Sequence, residues 1–540
     1  MLNYVWITLL FLGLASALFT DISDITQNKY KNNIPLIVKI KTSDKTSDKG
    51  DFEVILIREK FNNYFSSNIK NDISLKASGS FSSNNKLIRL YFRTNAGTPE
   101  ELKNYAKVSG KDDDILAEAD ILSKLDSVTY LSAMHFEKVS FLSMRNITND
   151  AIGAAGTAVE ISLGLIGIMA LWLGVMKVAE QAGLIKIIAG WLKPLTKKIF
   201  PEIPPDHPAV GSMVMNISAN MLGLGNAATP FGLKAMEDLD SLNQNKGTAT
   251  NSMVTFLAIN TAGMTIIPAT AIAVRAAAGS ADPTIIIATS LFGSTCATIT
   301  GITVAKLFEK FPIKKNGFGS WFRDNFKSLI AVISLVLALI LTFATGLSSW
   351  ISSLFSFLPA GFFKDLIQTA STLAIPFFIL VFIGFGVVKK VKVYEQFIEG
   401  AKDGFNVAVR IIPYLVAMLV AIAIFRAGGA MDNWLIPFLR IFTDPLGMPA
   451  EALPMALMRP LSGSGSLGVM ADIIKVHGPD SFIGVLVSTF YGSSETTFYV
   501  LAVYFGAVNI RNTRHALAAG LLADLAGVLG ALFIVKMLFG

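Results

Sequence analysis

Cysteine and histidine are scarce in this sequence, and their scarcity excludes several kinds of site. Cys296 is the single cysteine in 540 residues, so the chain forms no internal disulfide and no cysteine-based zinc site. The four histidines show no metal-ligand spacing: His135, His207, His477 and His515. The serines of residues 462–466 lack the G-x-S-x-G spacing of a nucleophile elbow, and there is no phosphate-binding loop. We therefore expect no metal, no cofactor and no enzymatic activity.

Charged residues are also few, at 16% of the chain against about 25% in soluble proteins. Hydrophobic residues make up 52%, and the mean hydropathy is +0.54. The net charge is only +7, and no stripe of Lys and Arg with interleaved aromatic residues indicates a nucleic-acid partner. This composition predicts an all-α polytopic membrane protein whose main partner is the lipid bilayer.

The charges that are present concentrate between residues 21 and 150. This quarter of the chain holds 37 of the 85 charged residues, with 19 Lys and Arg against 18 Asp and Glu. Mixed β-branched, aromatic and polar residues predict strands at 34–41, 52–58 and 86–93. Helices are predicted at 100–108 and at 112–125, the second with acidic residues in its first turn. We expect residues 21–150 to form a small inserted α+β soluble domain with a structural His135.

Apolar segments long enough to cross a bilayer predict nine membrane spans. They cover about residues 2–20, 151–176, 250–274, 284–305, 328–346, 365–388, 406–426, 482–508 and 515–538. Ala15-Ser16-Ala17 is typical of a signal-peptide cleavage site, so a cleaved leader is the alternative to a membrane helix at 1–20. We favour the uncleaved helix because no Lys or Arg precedes the apolar run. Two stretches, 208–236 and 449–476, contain too much Gly, Ser, Asn and Pro to cross simply.

Clusters of Lys and Arg predict the orientation of the chain in the membrane. They follow the spans at 151–176, 284–305, 365–388 and 482–508. All four clusters fall on one side if the two polar stretches enter and leave the membrane on the same side. That side is then the cytoplasm, and we expect the chain to lie in a cytoplasmic (inner) membrane. The amino terminus is predicted inside, and residues 21–150 and the carboxyl terminus outside.

The order of segments predicts two repeats of inverted topology, residues 151–308 and residues 402–540, separated by connecting helices in residues 309–401. Each repeat has a span, an amphipathic stretch, a broken hairpin, a span, a short loop and a last span. The stretch after the first span is basic in the first repeat only, whereas the short loop is basic in the second only. This exchange of charge between corresponding loops is typical of inverted repeats.

Polar, broken chain marks the expected functional centre, since irregular backbone inside a membrane lines a cavity or is buried in protein. Besides the two polar stretches, residues 260–268 and 491–497 interrupt apparent spans at equivalent positions of the two repeats. Pseudo-two-fold symmetry would bring these four segments together as re-entrant hairpins and helix breaks. The predicted substrate- or ion-binding residues are Asn216, Ser218, Asn220, Asn226, Thr229, Asn260, Thr261, Arg459, Ser462, Ser464, Ser493, Ser494, Glu495 and Thr496.

Two carboxylates inside spans, Glu495 and Asp524, are candidate coupling groups, because an intramembrane carboxylate is costly unless it pairs, protonates or binds a cation. Structural roles are the alternative. Small polar residues in spans often serve helix packing. Arg459 could pair with a nearby carboxylate, and Asp524 could be a partner of Arg511 or Arg514.

Two long strings resemble known families. Residues 216–236, NISANMLGLGNAATPFGLKAM, resemble the spore maturation protein A family, and the residues from STFYGSSETTFY to LAGVLGAL, 488–532, resemble the B family. The resemblance covers the first helix and most of 151–540, so the chain is similar to a fusion of A and B. Residues 21–150 depart from both families.

The resemblance implies nucleoside-recognition "gate" domains, related to the core of concentrative nucleoside transporters with inverted repeats and re-entrant hairpins. Residues 492–496 are similar to the Gly-Gln-Thr-Glu hairpin motif that contacts nucleoside in those transporters, with Ser493 and Ser494 replacing Gln and Thr. The family also implies a role in spore maturation.

We expect a membrane transport or permeation protein for a small polar solute, nucleoside-like or another metabolite, or for an ion. The alternative is a non-transporting membrane scaffold that serves envelope or spore maturation through residues 21–150. A second copy of the chain is a further candidate partner.

Overall fold

The computed structural model describes residues 2–42, 49–82, 86–110, 113–309 and 362–539, together with residues 323, 326, 330 and 334. The chain divides into two units. One is Leu12–Asn149, and the other combines Met1–Phe11 with Asp150–Gly540. The first unit is built mainly from strands and the second from helices. The predicted span at 328–346 falls outside the described residues except for residues 330 and 334.

Six antiparallel strands in the first unit close into a barrel, because β1 pairs with both β2 and β6. In chain order the elements are α1 (Leu2–Thr26), β1 (Leu36–Thr42), β2 (Lys49–Leu56), α2 (Arg58–Phe65), β3 (Ile73–Phe81), β4 (Leu87–Arg93), α3 (Glu100–Ser109), β5 (Asp114–Lys124) and β6 (Thr129–Phe136). Alternate residues of β1, such as Val38 and Ile40, fill the core. Three predicted strands and the helix at 100–108 are confirmed.

The predicted helix at 112–125 is wrong, since these residues form strand β5. Burial in β5 alternates, with Ile115, Ala117 and Ala119 inside the barrel. Pairing with β4 and β6 on either side satisfies its backbone and overrides the helix propensity of its Ala and Glu residues. Strands β3 and β6 were not predicted.

In its described residues the second unit is built from helices, with an isolated β-bridge between Thr248 and Asn512. Its helices are α4 (Leu142–Gln181), α5 (Leu184–Ile199), α6 (Pro208–Met221), α7 (Gly225–Ser241), α8 (Asn251–Ala262), α9 (Ala269–Ala277), α10 (Ile286–Leu307), α11 (Phe362–Val388), α12 (Val393–Ala427), α13 (Ile436–Thr443), α14 (Leu453–Leu461), α15 (Gly463–His477), α16 (Phe482–Ser493), α17 (Thr497–Ala507) and α18 (Ala516–Phe539). Short 3-10 turns lie at Pro283–Ile285, Asp444–Leu446 and Ala450–Ala452, and a π-helical turn lies at Met431–Leu435.

Six helices in the described part of the chain are long and apolar enough to cross a membrane. They are Asn3–Thr26, Leu142–Gln181, Pro283–Leu307, Asp365–Val388, Val393–Ala427 and Ala516–Phe539. The predicted spans at 250–274 and 482–508 are each broken into two helices, at the polar interruptions that the sequence marked. The chain is therefore a mostly helical, multi-pass membrane protein.

The two broken helices run antiparallel beside each other. The amides of Arg511 and Asn512, after α17, donate to the carbonyl oxygen of Gly247, before α8, at 2.9 and 3.0 Å. At the other end the amide of Ala281, after α9, donates to the carboxylate of Asp480, before α16, at 2.8 Å. Helices α10 and α18 pack along each other and against α8 and α16. These elements form the centre of the unit.

Helices α4 and α12 cross closely at two glycines of α12. A Cβ at Gly404 would lie 2.5 Å from the carbonyl oxygen of Met169, and a Cβ at Gly400 would overlap the carbonyl oxygen of Leu173. Backbones approach this closely only where a side chain is absent. The crossing fixes the two helices against each other.

Candidate functional site

The two helix breaks meet at one point. The amide of Glu495, in the break between α16 and α17, donates to the carbonyl oxygen of Thr261, at the end of α8, at 2.8 Å. Gly263 follows with φ of 53°, and a Cβ there would lie 2.7 Å from the Glu495 Cγ. Glycine is required here for two reasons: the backbone is left-handed, and any side chain would clash with Glu495. The close contact places the side chain of Glu495 directly beside the first break.

The tip of the α6–α7 hairpin reaches the same point. The amide of Ile266, in the first break, donates to the carbonyl oxygen of Met221 at 2.8 Å. Gly223 in the tip has φ of 77°, and a Cβ there would lie 2.9 Å from the carbonyl oxygen of Ile267. The hairpin therefore closes one side of the meeting point of the breaks.

Three asparagines and a tyrosine join the hairpin to both broken helices. Asn220 Nδ2 donates to Asn260 Oδ1 at 2.9 Å, and Asn260 Nδ2 donates to the carbonyl oxygen of Phe256 at 2.9 Å. Asn216 Nδ2 donates to Tyr504 Oη at 3.2 Å and to the carbonyl oxygen of Ala228 at 2.8 Å. Asn216 and Asn260 are buried, so these bonds satisfy groups that would be costly to leave unpaired.

Arg459 brings the second hairpin, α14–α15, to the second break. Its guanidinium donates to the carbonyl oxygen of Ser494, lies 3.6 Å from the Glu495 carboxylate and stacks 4.4 Å from the ring centre of Tyr491. The Arg459 side chain is only 5% exposed, whereas that of Glu495 is 49% exposed. Arg459 therefore pairs with a nearby carboxylate, the structural role that we considered as the alternative to ligand binding. In this ion pair the guanidinium of Arg459 is buried and the carboxylate of Glu495 is exposed.

A cavity of about 420 Å³ lies at the meeting point. Four of the predicted binding residues line it: Asn220, Arg459, Ser494 and Glu495. Further polar groups of its wall are Lys177, Glu180, Thr265, Thr270, Asp403 and Tyr491. Lys177 is paired with Glu180 at 3.3 Å. The lining therefore offers two ion pairs, an extra carboxylate, amides, hydroxyls and an aromatic ring to a ligand.

Asp524 lies beside this centre on α18. It is 4% exposed, and its Oδ2 accepts a hydrogen bond from Thr497 Oγ1 at 2.5 Å. Its other oxygen, Oδ1, is buried without a hydrogen-bond partner among the described residues. Neither Arg511 nor Arg514 pairs with it in the part of the chain that the structure describes.

Other predicted residues serve the protein's own packing. The hydroxyls of Ser218, Thr261 and Ser493 donate to backbone carbonyl oxygens three or four residues earlier. Ser462 Oγ caps α15 by accepting from the Gly465 amide at 3.0 Å, and Ser464 lines a separate small cavity. These contacts match the packing role that we considered as the alternative.

Three further predicted residues are Thr496 and Thr229, which are not among the residues that line the cavity, and Asn226. Thr496 Oγ1 lies 3.5 Å from Arg459, within the second break. Thr229 is half-buried on α7. Asn226 lies in the first turn of α7, and its side chain falls outside the described residues.

Sequence reasoning missed Lys177, Glu180 and Asp403 as lining residues. Lys177 was interpreted as part of a cluster that sets orientation, and Asp403 lies where the predicted second repeat begins. The close crossing of α4 and α12 brings both into the cavity wall, and no local pattern in the sequence indicates that crossing. No group of three His, Cys, Asp or Glu side chains in the described residues is placed to hold a metal ion.

Comparison with known proteins identifies the family. The sequence model of the Gate domain, described as nucleoside recognition, matches residues 162–279 and 408–511. Spore maturation protein B of Bacillus subtilis (strain 168) is 50% identical over 176 residues, which are 33% of this chain and 98% of that protein. Spore maturation protein A of the same organism is 45% identical over 175 residues, 32% of this chain and 89% of that protein.

No solved structure matches the chain. Nearly the whole length of each relative is nevertheless represented in this sequence at high identity, and the two Gate matches include both helix breaks and both hairpins. The chain therefore belongs to the family of the spore maturation proteins A and B and carries the Gate nucleoside-recognition domain in two segments.

Proposed function

We propose that this protein moves a small polar solute or ion across the bacterial cytoplasmic membrane and binds it in the cavity between the two helix breaks. The observation that best supports the proposal is the contact of Glu495 with the first break, because a carboxylate, the Arg459 guanidinium and two unwound segments meet there around one cavity. Unpaired backbone groups and charged side chains inside a membrane cost free energy. Binding a solute, whose hydration shell these groups would replace, would account for the presence of both kinds of group.

Inverted-topology repeats at residues 151–308 and 402–540 are part of this proposal. The antiparallel broken helices, and the packing of α10 along α18, support it, because a two-fold axis in the membrane plane relates elements in this way. In this arrangement α6–α7 and α14–α15 are re-entrant hairpins that open to opposite sides. The amino terminus lies inside, and residues 21–150 and the carboxyl terminus lie outside.

The ligand we propose is nucleoside-like or another small metabolite, and it leaves the protein chemically unchanged. The Gate family's description as nucleoside recognition supports this class. The amide of Asn220, the hydroxyl of Ser494 and the ring of Tyr491 are suited to the polar edges and the face of a base. Ser493 does not contribute, since its hydroxyl is bonded to the carbonyl oxygen of Thr489.

Glu495→Gln tests the proposal in the full-length protein reconstituted into vesicles. The substitution keeps size and the main-chain bond to Thr261 but removes the charge beside Arg459. We expect solute flux to fall at least tenfold or to lose its dependence on an ion gradient. Glu237→Gln is the matched control, since Glu237 is 59% exposed on α7 and outside the cavity lining. Unchanged, still coupled flux in Glu495→Gln would exclude this role.

A thermal-shift screen of metabolites against the purified protein identifies the solute to use. The scaffold alternative makes a different prediction. If no solute stabilises the protein or moves across vesicles, while removal of residues 27–139 abolishes function in cells, the scaffold role replaces transport.

A further inference from the structure

Helix α5 has three distinct faces along its length. One face packs on the protein core through Ile185, Ala189, Leu192, Thr196 and Ile199. A helix with an ordinary surface position would present only polar residues on its remaining faces. The other two faces of α5 are instead one apolar and one basic.

The apolar outer face consists of Ile187, Trp191 and Leu195, spaced four residues apart. Their exposed fractions are 37%, 76% and 53%. In a membrane protein, an exposed Trp in an apolar stripe is typical of a helix at the lipid–water boundary. This face is therefore suited to contact with lipid.

The basic face carries Lys186, Lys193 and Lys197, which recur at helical spacing on the opposite flank. All three are exposed, and none forms an ion pair with any residue in the described ranges. Unpaired lysines on one flank leave an uncompensated positive field at that side of the helix.

A groove of about 460 Å³ lies between this basic face and α6. Lys186 and Lys193 stand on its α5 side, and Gly190 between them leaves open space, because a Cβ there would meet no atom within 4 Å. The α6 side is mostly apolar, with Val210, Gly211, Val214 and Met215. Asp206 and His207 lie at one end, and His207 Nδ1 is occupied by the Ala209 amide.

We propose that this groove binds the headgroup of an anionic phospholipid. The two ammonium groups of Lys186 and Lys193 hold the phosphate, and the gap at Gly190 admits it. The apolar wall of α6 and the Trp191 stripe contact the acyl chains. Lysines at a membrane surface favour the binding of anionic lipid. A headgroup with a net negative charge is therefore held in preference to a zwitterionic one, whose cationic amine the two lysines repel. The occupant is a lipid rather than free phosphate, because basic and apolar walls are combined in one groove.

The test measures lipid binding to the purified, delipidated full-length protein in detergent. Phosphatidylglycerol and phosphatidylcholine are added in turn, and thermal stability and the number of lipids bound by native mass spectrometry are recorded. We expect phosphatidylglycerol to raise the melting temperature more than phosphatidylcholine. The double variant Lys186→Gln/Lys193→Gln should bind phosphatidylglycerol about thirtyfold more weakly, which corresponds to about 1 kcal/mol per lysine.

Two control variants separate this groove from general surface charge. Lys198→Gln removes one positive charge outside the groove lining and should keep the response to phosphatidylglycerol. Gly190→Phe fills the groove without changing its charge, so this variant should lose the response to phosphatidylglycerol. Equal effects of the two lipids on the unsubstituted protein, an equal loss in Lys198→Gln, or stabilisation by inorganic phosphate alone would each overturn the proposal.

Discussion

Glu495 and Thr261 are joined through their main chains, the amide of Glu495 donating to the Thr261 carbonyl oxygen at 2.8 Å. These residues lie 234 positions apart, at the break of one helix and beside the break of the other. Each break exposes backbone groups that its own helix no longer pairs. The bond satisfies one group from each, so neither break needs water at this point.

The glycine beside this bond is predicted to be essential. Gly263→Ala adds strain at a positive φ and places a Cβ 2.7 Å from Glu495, so we expect a loss of at least 2 kcal/mol, roughly twice the usual cost of a non-glycine residue in the left-handed region. Gly279→Ala is the control, since its φ is +77° and no atom lies within 4 Å of its added Cβ. Thermal unfolding in detergent compares them; equal losses would mean that the contact with Glu495 is unimportant.

The Arg275–Asp480 pair is predicted to hold the two broken helices together at one end. The Arg275 side chain is fully buried and lies 2.8 Å from the carboxylate of Asp480, which is 45% exposed. Asp480→Asn leaves the buried cation without its partner. We expect destabilisation of roughly 2 kcal/mol, below the cost for a fully buried pair because water screens Asp480. Asp444→Asn, at an exposed aspartate, should have little effect on the unfolding temperature.

The same pair predicts a pH dependence of stability. Partial burial raises the pKa of the Asp480 carboxyl, but hydrogen bonds from Ser280 and Ala281 and the charge of Arg275 lower it further, so the net pKa lies below its usual value. A lowered folded-state pKa stabilises the protein above the unfolded value of about 4, and this contribution is lost as the pH falls through the folded-state pKa. The curves of melting temperature against pH for the unsubstituted protein and for Asp480→Asn should converge as the pH falls from 7 to 3. Parallel curves would contradict the assignment.

Asp524 is predicted to act in coupling rather than in solute binding. Asp524→Asn keeps an acceptor for the Thr497 hydroxyl but removes the buried charge. In vesicles we expect exchange of labelled solute across the membrane to continue, while uptake no longer follows an imposed proton or cation gradient. Thr497→Ser retains the hydroxyl and should stay coupled. Gradient-driven uptake by Asp524→Asn would show that the carboxylate is only structural.

Inverted repeats predict which loops share a side of the membrane. In a Cys296→Ala background, single cysteines at Lys193 and Arg511 should both react with an impermeant maleimide from the cytoplasmic side only. A cysteine at Ser280 should react from the outside only. Labelling of Lys193→Cys and Arg511→Cys from opposite sides would disprove the proposed topology.

The helix breaks could be predicted from the sequence because their cause is local. Pro268 lacks an amide hydrogen, Gly263 takes a backbone conformation that other residues avoid, and the run Gly492-Ser493-Ser494 is polar where a span should be apolar. Such residues disfavour continuous helix wherever they occur. The helix breaks follow from them without knowledge of the tertiary fold.

Strand β5 and the cavity wall could not be predicted, because both depend on distant partners. Asp114–Lys124 contains good helix formers and becomes a strand only through pairing with β4 and β6. In the sequence, Lys177 and Asp403 are charged residues at the ends of apolar runs, with nothing to mark them as part of a site. Only the crossing of α4 and α12 brings them into the cavity wall. Only non-local contacts select these outcomes.

The glycine crossing of α4 and α12 has a further effect on how the cavity can change shape. These two helices carry Lys177, Glu180 and Asp403, and with backbone packed on backbone they have no layer of side chains along which to slide. They act as a fixed frame around the cavity. In the proposed transport, opening toward one compartment or the other would then come from displacement of the hairpins and of the unwound segments.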